Sequence, residues 1–376
     1  KNEPSAKELR EQLNAAGKEK LDGLEKAIAS ARAARPKLQS ALLMTDAPGS
    51  PPATRILQAG DYKLPKAEVV AGIPSALDPN PMSATTPPGA KTTGRRLALA
   101  DWIVGPQNPL TARVLVNRVW QNCFGRGLVA TPDDFGLAGA RPTHPELLDR
   151  LASDFTANGW SLKRLVRSLV TSAAYRQGAA TSKAAEDLYG GMRMRRLTAE
   201  QLRDAMLFAA GSLSNKASGP PIWPELPSEI LVANPAFLDD NAEKTKGWYP
   251  SPPAEQKCRT IFLVQKRTVR VPLLEAFDLP ENAVPCGRRN VSTVAPQALS
   301  LLNSPFAVGV AADFAARVGK EAGNDSVKQI DRAFALAFQR APEPQERELC
   351  LKLFESRSPA ELCRAIMNLN EFAYVD

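Results

Sequence analysis

One imidazole, His144, stands in the segment Pro142-Thr-His-Pro-Glu-Leu-Leu-Asp149. Glu146 and Asp149 lie close in sequence, and a carboxylate that orients an imidazole makes it a candidate general acid or base. The structural alternative uses the same residues. Thr143-x-x-Glu146 has the form of a capping box, which occupies Glu146 and puts His144 at a helix start, bridging segments by hydrogen bonds. Asp133 and Asp134, just before Phe135-Gly136, form a second catalytic candidate, because adjacent carboxylates bind Ca²⁺ or divide acid–base work. Thr131-Pro-Asp-Asp134 is equally an ordinary turn or cap, and EF-hand spacing is absent. Glu200, Arg203 and Asp204, at i, i+3 and i+4, share one helical face, as in an ion-pair network to a neighbouring helix.

Anion recognition is the other chemistry on offer. Between Lys257 and Arg289 the chain carries seven Lys or Arg against three Asp or Glu, a local excess of four within a total net charge of +8. Arg259, Arg267, Arg288 and Arg289 are the candidate anion-binding forks, with Asn290 and Ser292 as neutral donors before a helix start near Pro296. The alternative is that these arginines pair with internal carboxylates.

Several chemistries are disfavoured. The five cysteines, Cys123, Cys258, Cys286, Cys350 and Cys363, include no C-x-x-C pair, and a lone histidine cannot build a His-triad. The expectation is therefore no metal and no cofactor held by this chain. A pI near 9.3 suits a polyanion partner, but dispersed basic residues mostly solvate a surface. Basic motifs with interleaved aromatics are missing, which makes nucleic acid an unlikely partner.

The elements that must position these residues read as helices. A chain of 376 residues with 44% hydrophobic and 23% charged residues is long enough for two or three domains and a sizeable core. No run approaches the roughly 20 apolar residues of a membrane helix. The pattern starts in mid-helix at Lys1, which suits a processed fragment or a piece of something longer. Residues 1–40 hold one amphipathic helix, with Leu9, Leu13, Leu21, Leu24 and Ile28 on its stripe, expected to dock on upstream sequence. Residues 41–94 are a Pro/Gly-rich linker in which Thr54–Leu57 and Glu68–Val70 form short strands about the Gly60-Asp61 turn.

From residue 95 to 376 helix signals recur. Asn108-Pro109 resembles an N-cap followed by Pro at the first helical position. Capping boxes are read at Thr143, Thr198, Ser326 and Ser358, and Ser161 precedes an apolar stripe of Leu162, Leu165, Val166, Leu169 and Val170. Residues 214–256 form a long irregular excursion rich in proline, and Arg259-Thr-Ile-Phe-Leu-Val264 reads as a strand. The fold class is mainly α: a multi-helix domain with a long irregular excursion and a few short strands.

Ordered motifs across this region resemble a known family. They run from Arg95-Arg-Leu-Ala-Leu-Ala-Asp-Trp102 and Asn117-Arg-Val-Trp120 through Phe124-Gly-Arg-Gly-Leu-Val129 and Gly159-Trp-Ser-Leu-Lys163. Arg196-Leu-Thr-Ala-Glu200, Cys286-Gly-Arg-Arg-Asn-Val-Ser-Thr293 and Tyr374-Val-Asp376 follow. This is similar to the planctomycete C-terminal domain known as domain of unknown function 1553. The resemblance implies an exported, extracytoplasmic protein of several domains. A cytochrome-c-like domain upstream would carry any haem, and the missing upstream domains would be partners. Where the family often has a histidine after Lys163-Arg-Leu165, this chain has Val166, so a second imidazole is no part of an essential site here. The expected role is a non-catalytic scaffold or binding module, with acidic or sulfated polysaccharide as a partner. The alternative is a polysaccharide-directed hydrolase or lyase gathering His144, Asp133 or Asp134, and Arg288 and Arg289 in one cleft.

Overall fold

The computed structural model describes residues 10–34, 44, 52–80, 92–215, 218–233 and 247–375. They divide into two compact units, Lys1–Gly105 and Pro106–Asp376. The protein is mainly α.

The first unit holds helix α1 (Ala15–Ala34), strands β1 (Thr54–Gln58) and β2 (Asp61–Val69), and helix α2 (Arg95–Val104). Helix α1 buries no residue, and Leu24 and Ile28 of its stripe are open to solvent. The two strands pair as the antiparallel hairpin expected around Gly60. Ala59 and Gly60 both take positive φ, 50° and 81°, the backbone that a tight two-residue hairpin turn requires. Pro65 lies opposite Leu57 at an irregularity in the register, where a missing N–H is tolerated. Asp78, buried, accepts hydrogen bonds from the Trp102 indole at 3.0 Å and from Asn80, which ties α2 to the residues before it. The break between the two compact units falls at Gly105/Pro106.

The second unit begins with α3 (Thr111–Phe124), α4 (Pro145–Ala157), α5 (Leu162–Val170) and α6 (Lys183–Asp187). Strand β3 (Arg195–Arg196) and α7 (Ala199–Ala209) come next. Short helices α8 (Ser228–Ala233), α9 (Pro253–Gln256) and α10 (Pro272–Ala276) follow. A C-terminal group follows, α11 (Ala295–Asn303), α12 (Pro305–Ala322), α13 (Ser326–Phe338), α14 (Pro344–Ser356), α15 (Pro359–Met367) and α16 (Asn370–Ala373). Strand β4 (Tyr374–Val375) then returns to pair antiparallel with β3.

Two hydrophobic cores organise this unit. Helices α3 to α5 bury Val116, Trp120, Phe124, Leu148, Phe155, Leu165 and Leu169 in the first. Helices α7, α10 to α13 and α15 bury Leu202, Met206, Leu274, Phe314, Ile330, Phe334 and Ile366 in the second. Each such side chain contributes about 1.5–3 kcal/mol on leaving water. A smaller cluster of Leu226, Trp248 and Val269 lies under the irregular stretch, with Trp223 against it.

Local chemistry explains why some helices start where they do. Thr198 and Gln201 form the expected reciprocal cap of α7, and Ser161 caps α5 through Arg164 N. Asn108 accepts from Leu110 and Thr111 N–H at 2.9 and 3.1 Å, while the α-helix itself begins at Thr111.

Three expectations need correction. No capping box forms at Thr143. Pro145 presets the first helical φ, which makes His144 the N-cap, and the Thr143 hydroxyl donates to Leu128 O instead. At α13 the cap is Asp325, whose carboxylate accepts from Val327 and Lys328 N–H; Ser326 is already helical. The segment Arg259–Val264 is not a strand. Thr260–Phe262 is a 3₁₀ turn, and Leu263 makes only an isolated bridge to Ile222. Tertiary bonds override β propensity there: Asp204 captures Thr260 N and Oγ1 at 2.7 and 2.6 Å.

Candidate functional site

The site is built from the segment Cys286–Thr293 and the residues that pin it. In the first core, Asn117 is fully buried on α3. It pairs with both backbone groups of Val129, donating to its carbonyl at 3.0 Å and accepting from its N–H at 2.8 Å. This side chain mimics a strand partner and fixes the loop after α3, where a Cβ on Gly127 would lie 2.7 Å from the Asn117 amide. The same helix also presents Arg118 and Gln121. Together with Asp133 they hold the Cys286–Thr293 segment from one side.

Gly287 is where the two come together. Its N–H donates to Asp133 at 3.0 Å, and its carbonyl accepts from Gln121 Nε2 at 3.0 Å. Arg118 reaches the other Asp133 oxygen at 3.3 Å. A Cβ at position 287 would sit 2.1 Å from the Asp133 carboxylate, so only glycine permits this approach.

Two residues on, Arg289 pairs with Glu200 of α7 at 2.6 Å. Burial pushes the Glu200 carboxyl upward, but the hydrogen bond from Arg289 outweighs it and the pKa ends below the ordinary value. Ser292 gives its N–H and hydroxyl to Asp278 at 2.9 Å. Asp278 also accepts from Arg196 at 2.7 Å, and Arg196 donates to the carbonyls of Ser292 and Phe277 at 2.5 and 3.2 Å. Burial raises the Asp278 pKa, yet the bonds from Ser292 and Arg196 carry it below the usual carboxylate range. Asp278 holds φ at 62°, a conformation that a non-glycine residue keeps only when surrounding bonds over-determine it. Thr293 meets the Tyr374 hydroxyl at 3.0 Å, bringing in β4. Cys286–Thr293 is thus a strap between the first core, α7, the Phe277-Asp278 turn and the C-terminal strand.

The structure takes up some sequence-predicted anion ligands and leaves others open. Arg259 faces Asp204 at 3.4 Å, Arg289 faces Glu200, and Ser292 is committed to Asp278. Arg267, Arg288 and Asn290 are exposed, and their side chains make no hydrogen bond or ion pair among the described residues. Of the Glu200, Arg203, Asp204 trio, Arg203 is buried and points inward. It donates to the carbonyls of Cys258 and Gln256 at 2.9 and 2.7 Å and lies 5.0 Å over the Phe306 ring. Burial lowers its pKa, partly offset by the neighbouring Cys258 and Asp204.

Among the described residues no hydrogen bond or ion pair joins His144, Asp133 and Asp134 to one another. Asp133 belongs to the strap. Asp134 folds back on its own turn, accepting from Gly136 N–H at 2.8 Å. His144 contacts the Thr143 hydroxyl at 3.0 Å and lies 5.8 Å, ring to ring, from Tyr189. Asp149 is held by Arg113 at 2.6 Å, which lowers its pKa through that hydrogen bond. Among the described residues no three His, Cys, Asp or Glu side chains are placed to share a metal ion.

Three contributors escape a reading of the sequence. Arg196 stands in a motif that is legible, but its burial is not. Asp278 counts in the sequence only as one negative charge among several. Tyr189, at φ 56°, packs edge-on against Trp120 and Phe124 and donates to the Gly127 carbonyl at 3.0 Å, and no spacing rule points to it.

No curated protein and no solved structure matches this chain. A family model does match, over residues 95–354, well over half of the sequence. Within that span lie the first core, most of the second and the whole Cys286–Thr293 segment, and the chain belongs to the family described as protein of unknown function DUF1553 (PSD1).

Proposed function

We propose that this domain is a non-catalytic scaffold and binding module of an exported multi-domain protein, and that it holds acidic polysaccharide for other domains of that protein. One observation carries the reading. The charged groups that could do chemistry are taken up in bonds between segments, as at Asp133 with Gly287 and Arg118, or have other partners, as His144 has Thr143 and Asp149 has Arg113. A general acid or base needs an orienting partner within hydrogen-bond reach, and the partner of His144 is a threonine hydroxyl. The export and the upstream haem domain rest on the resemblance to planctomycete proteins, and an N-terminal extension with C-x-x-C-H in the full-length protein would support both.

The competing hydrolase or lyase is tested by incubating the chain with sulfated and uronate polysaccharides, following binding and chain cleavage together. Binding without new reducing ends or unsaturated products is the expected result. Cleavage lost in His144→Ala at an unchanged melting temperature would replace the scaffold reading with an enzymatic one. As a helix-start residue, His144→Ala should lower stability by about 1 kcal/mol or less and leave binding intact.

A further inference from the structure

Between the 3₁₀ turn and α10 the chain forms a narrow cleft with a basic rim. Lys266, Arg267 and Arg270 line it, with the amides of Gln265 and Asn282, over a floor that includes Leu274 and Leu279. Among the described residues no carboxylate lines it. Leu274 and Leu279 are 1% and 8% exposed, so the floor is protein interior, where a charge interaction is screened less than at an open surface.

The three cations are held to different degrees. Lys266 donates to the Gly247 carbonyl at 2.9 Å and lies 5.1 Å over the Trp223 ring, which positions its ammonium. Arg270, three-quarters buried, is steadied from outside the lining by Glu281 at 3.2 Å and Glu275 at 3.9 Å, both exposed. Arg267 is exposed and makes no hydrogen bond or ion pair among the described residues. Glu281 and Glu275 offset the charge of Arg270, so the positive potential a bound anion would meet comes chiefly from Lys266 and Arg267. Guanidinium forks and amide N–H groups together favour an anion with several oxygens over a spherical one.

We propose that the basic rim of this cleft is an oxyanion site, meeting one sulfate, phosphate or carboxylate group at the surface, and that Arg267 is its principal free ligand. The assignment deepens the binding role proposed above and rests on it. It moves the contact away from the strap, where Arg289 and Ser292 are already committed, to a surface where the cations face no lining carboxylate.

The test is titration of the full chain with inorganic sulfate, a sulfated tetrasaccharide and an oligogalacturonide, each at low and physiological salt. Wild type, Arg267→Ala and Arg288→Ala are compared. A polymer-borne group is the ligand if the oligosaccharides bind and inorganic sulfate competes only weakly; the free ion is the ligand if inorganic sulfate alone binds tightly. In either case Arg267→Ala should weaken binding by about tenfold or more, the loss of one charge-assisted hydrogen bond. Arg288→Ala should leave it within about twofold, and affinity should fall as salt rises. Binding of Arg267→Ala equal to wild type, or a loss in Arg288→Ala as large, would overturn the assignment and leave the binding role standing. No binding of any probe to wild type would overturn both.

Discussion

The strap at Cys286–Thr293 and the cleft at Val264–Asn282 are close in sequence, and both are rich in arginine. In the strap Arg289 is 2.6 Å from Glu200, and Arg196 and Ser292 converge on Asp278. In the cleft, Lys266, Arg267 and Arg270 line one space together, and the two carboxylates that steady Arg270 stand outside that lining. The same residue type therefore serves two ends. Where carboxylates from other elements arrive, arginines act as struts between cores; where none lines the space, the positive potential stays available to a ligand. The decisive quantity is which partner the fold delivers to each guanidinium.

The largest effect that would break this comparison is expected at Arg196. Its side chain is only 3% exposed and Asp278 is 20% exposed, so Arg196→Ala strands a carboxylate in a mostly dry place. A loss on the order of 3 kcal/mol is expected, read as a lower urea midpoint. A change under a few tenths of that size would mean the strap is decoration and not a brace.

Gly287→Ala is next. The new methyl must displace the Asp133 carboxylate, and overpacking of this kind costs roughly 1–3 kcal/mol. Gly287→Ala together with Asp133→Ala should recover part of the loss, because the clash is then gone. A double variant no better than the sum of the singles would show that the contact is not what glycine protects.

Another arginine, Arg340, extends the comparison to the C-terminal helices. It forks to Glu346 and Glu371 at 2.6–2.7 Å and lies 5.5 and 5.6 Å from the Phe334 and Phe338 rings. Its hydrogen bonds, helped by the Glu343 N–H and opposed by burial, hold Glu346 at about 2. That is below the roughly 4.3 of an unfolded glutamate. The stabilisation is complete above the unfolded value and fades as pH falls from there toward about 2. Arg340→Ala should cost on the order of 1 kcal/mol at neutral pH, since the pair is partly solvent-screened. It should also flatten the loss of stability across that acid window. Unfolding free energies measured over a pH series would reveal an unchanged slope if the pairing is idle.

The smallest effect is expected at Arg288, which is exposed and unpaired among the described residues. Arg288→Ala should move the melting temperature negligibly, within the roughly 0.5 kcal/mol of an ordinary surface change. A loss comparable to that of Gly287→Ala would place Arg288 in the brace and sharpen the line between strap and cleft.

The helical class, the hairpin about Gly60 and the caps at Ser161 and Thr198 were legible because they depend on neighbours within a few residues. Family membership was legible because its motifs occur in order along the chain. Local rules failed where distant groups competed for the same atoms. Thr143 gave its hydroxyl to Leu128, and Thr260 gave both its donors to Asp204, so a capping box and a strand did not form. The roles of the arginines were beyond the sequence for the same reason. Arg259, Arg267 and Arg289 are alike in type and setting along the chain, and only the folded neighbours, Asp204, an open cleft and Glu200, make two of them struts and leave one free. Charge is a property of the residue, but its availability is set by what tertiary packing brings within about 4 Å.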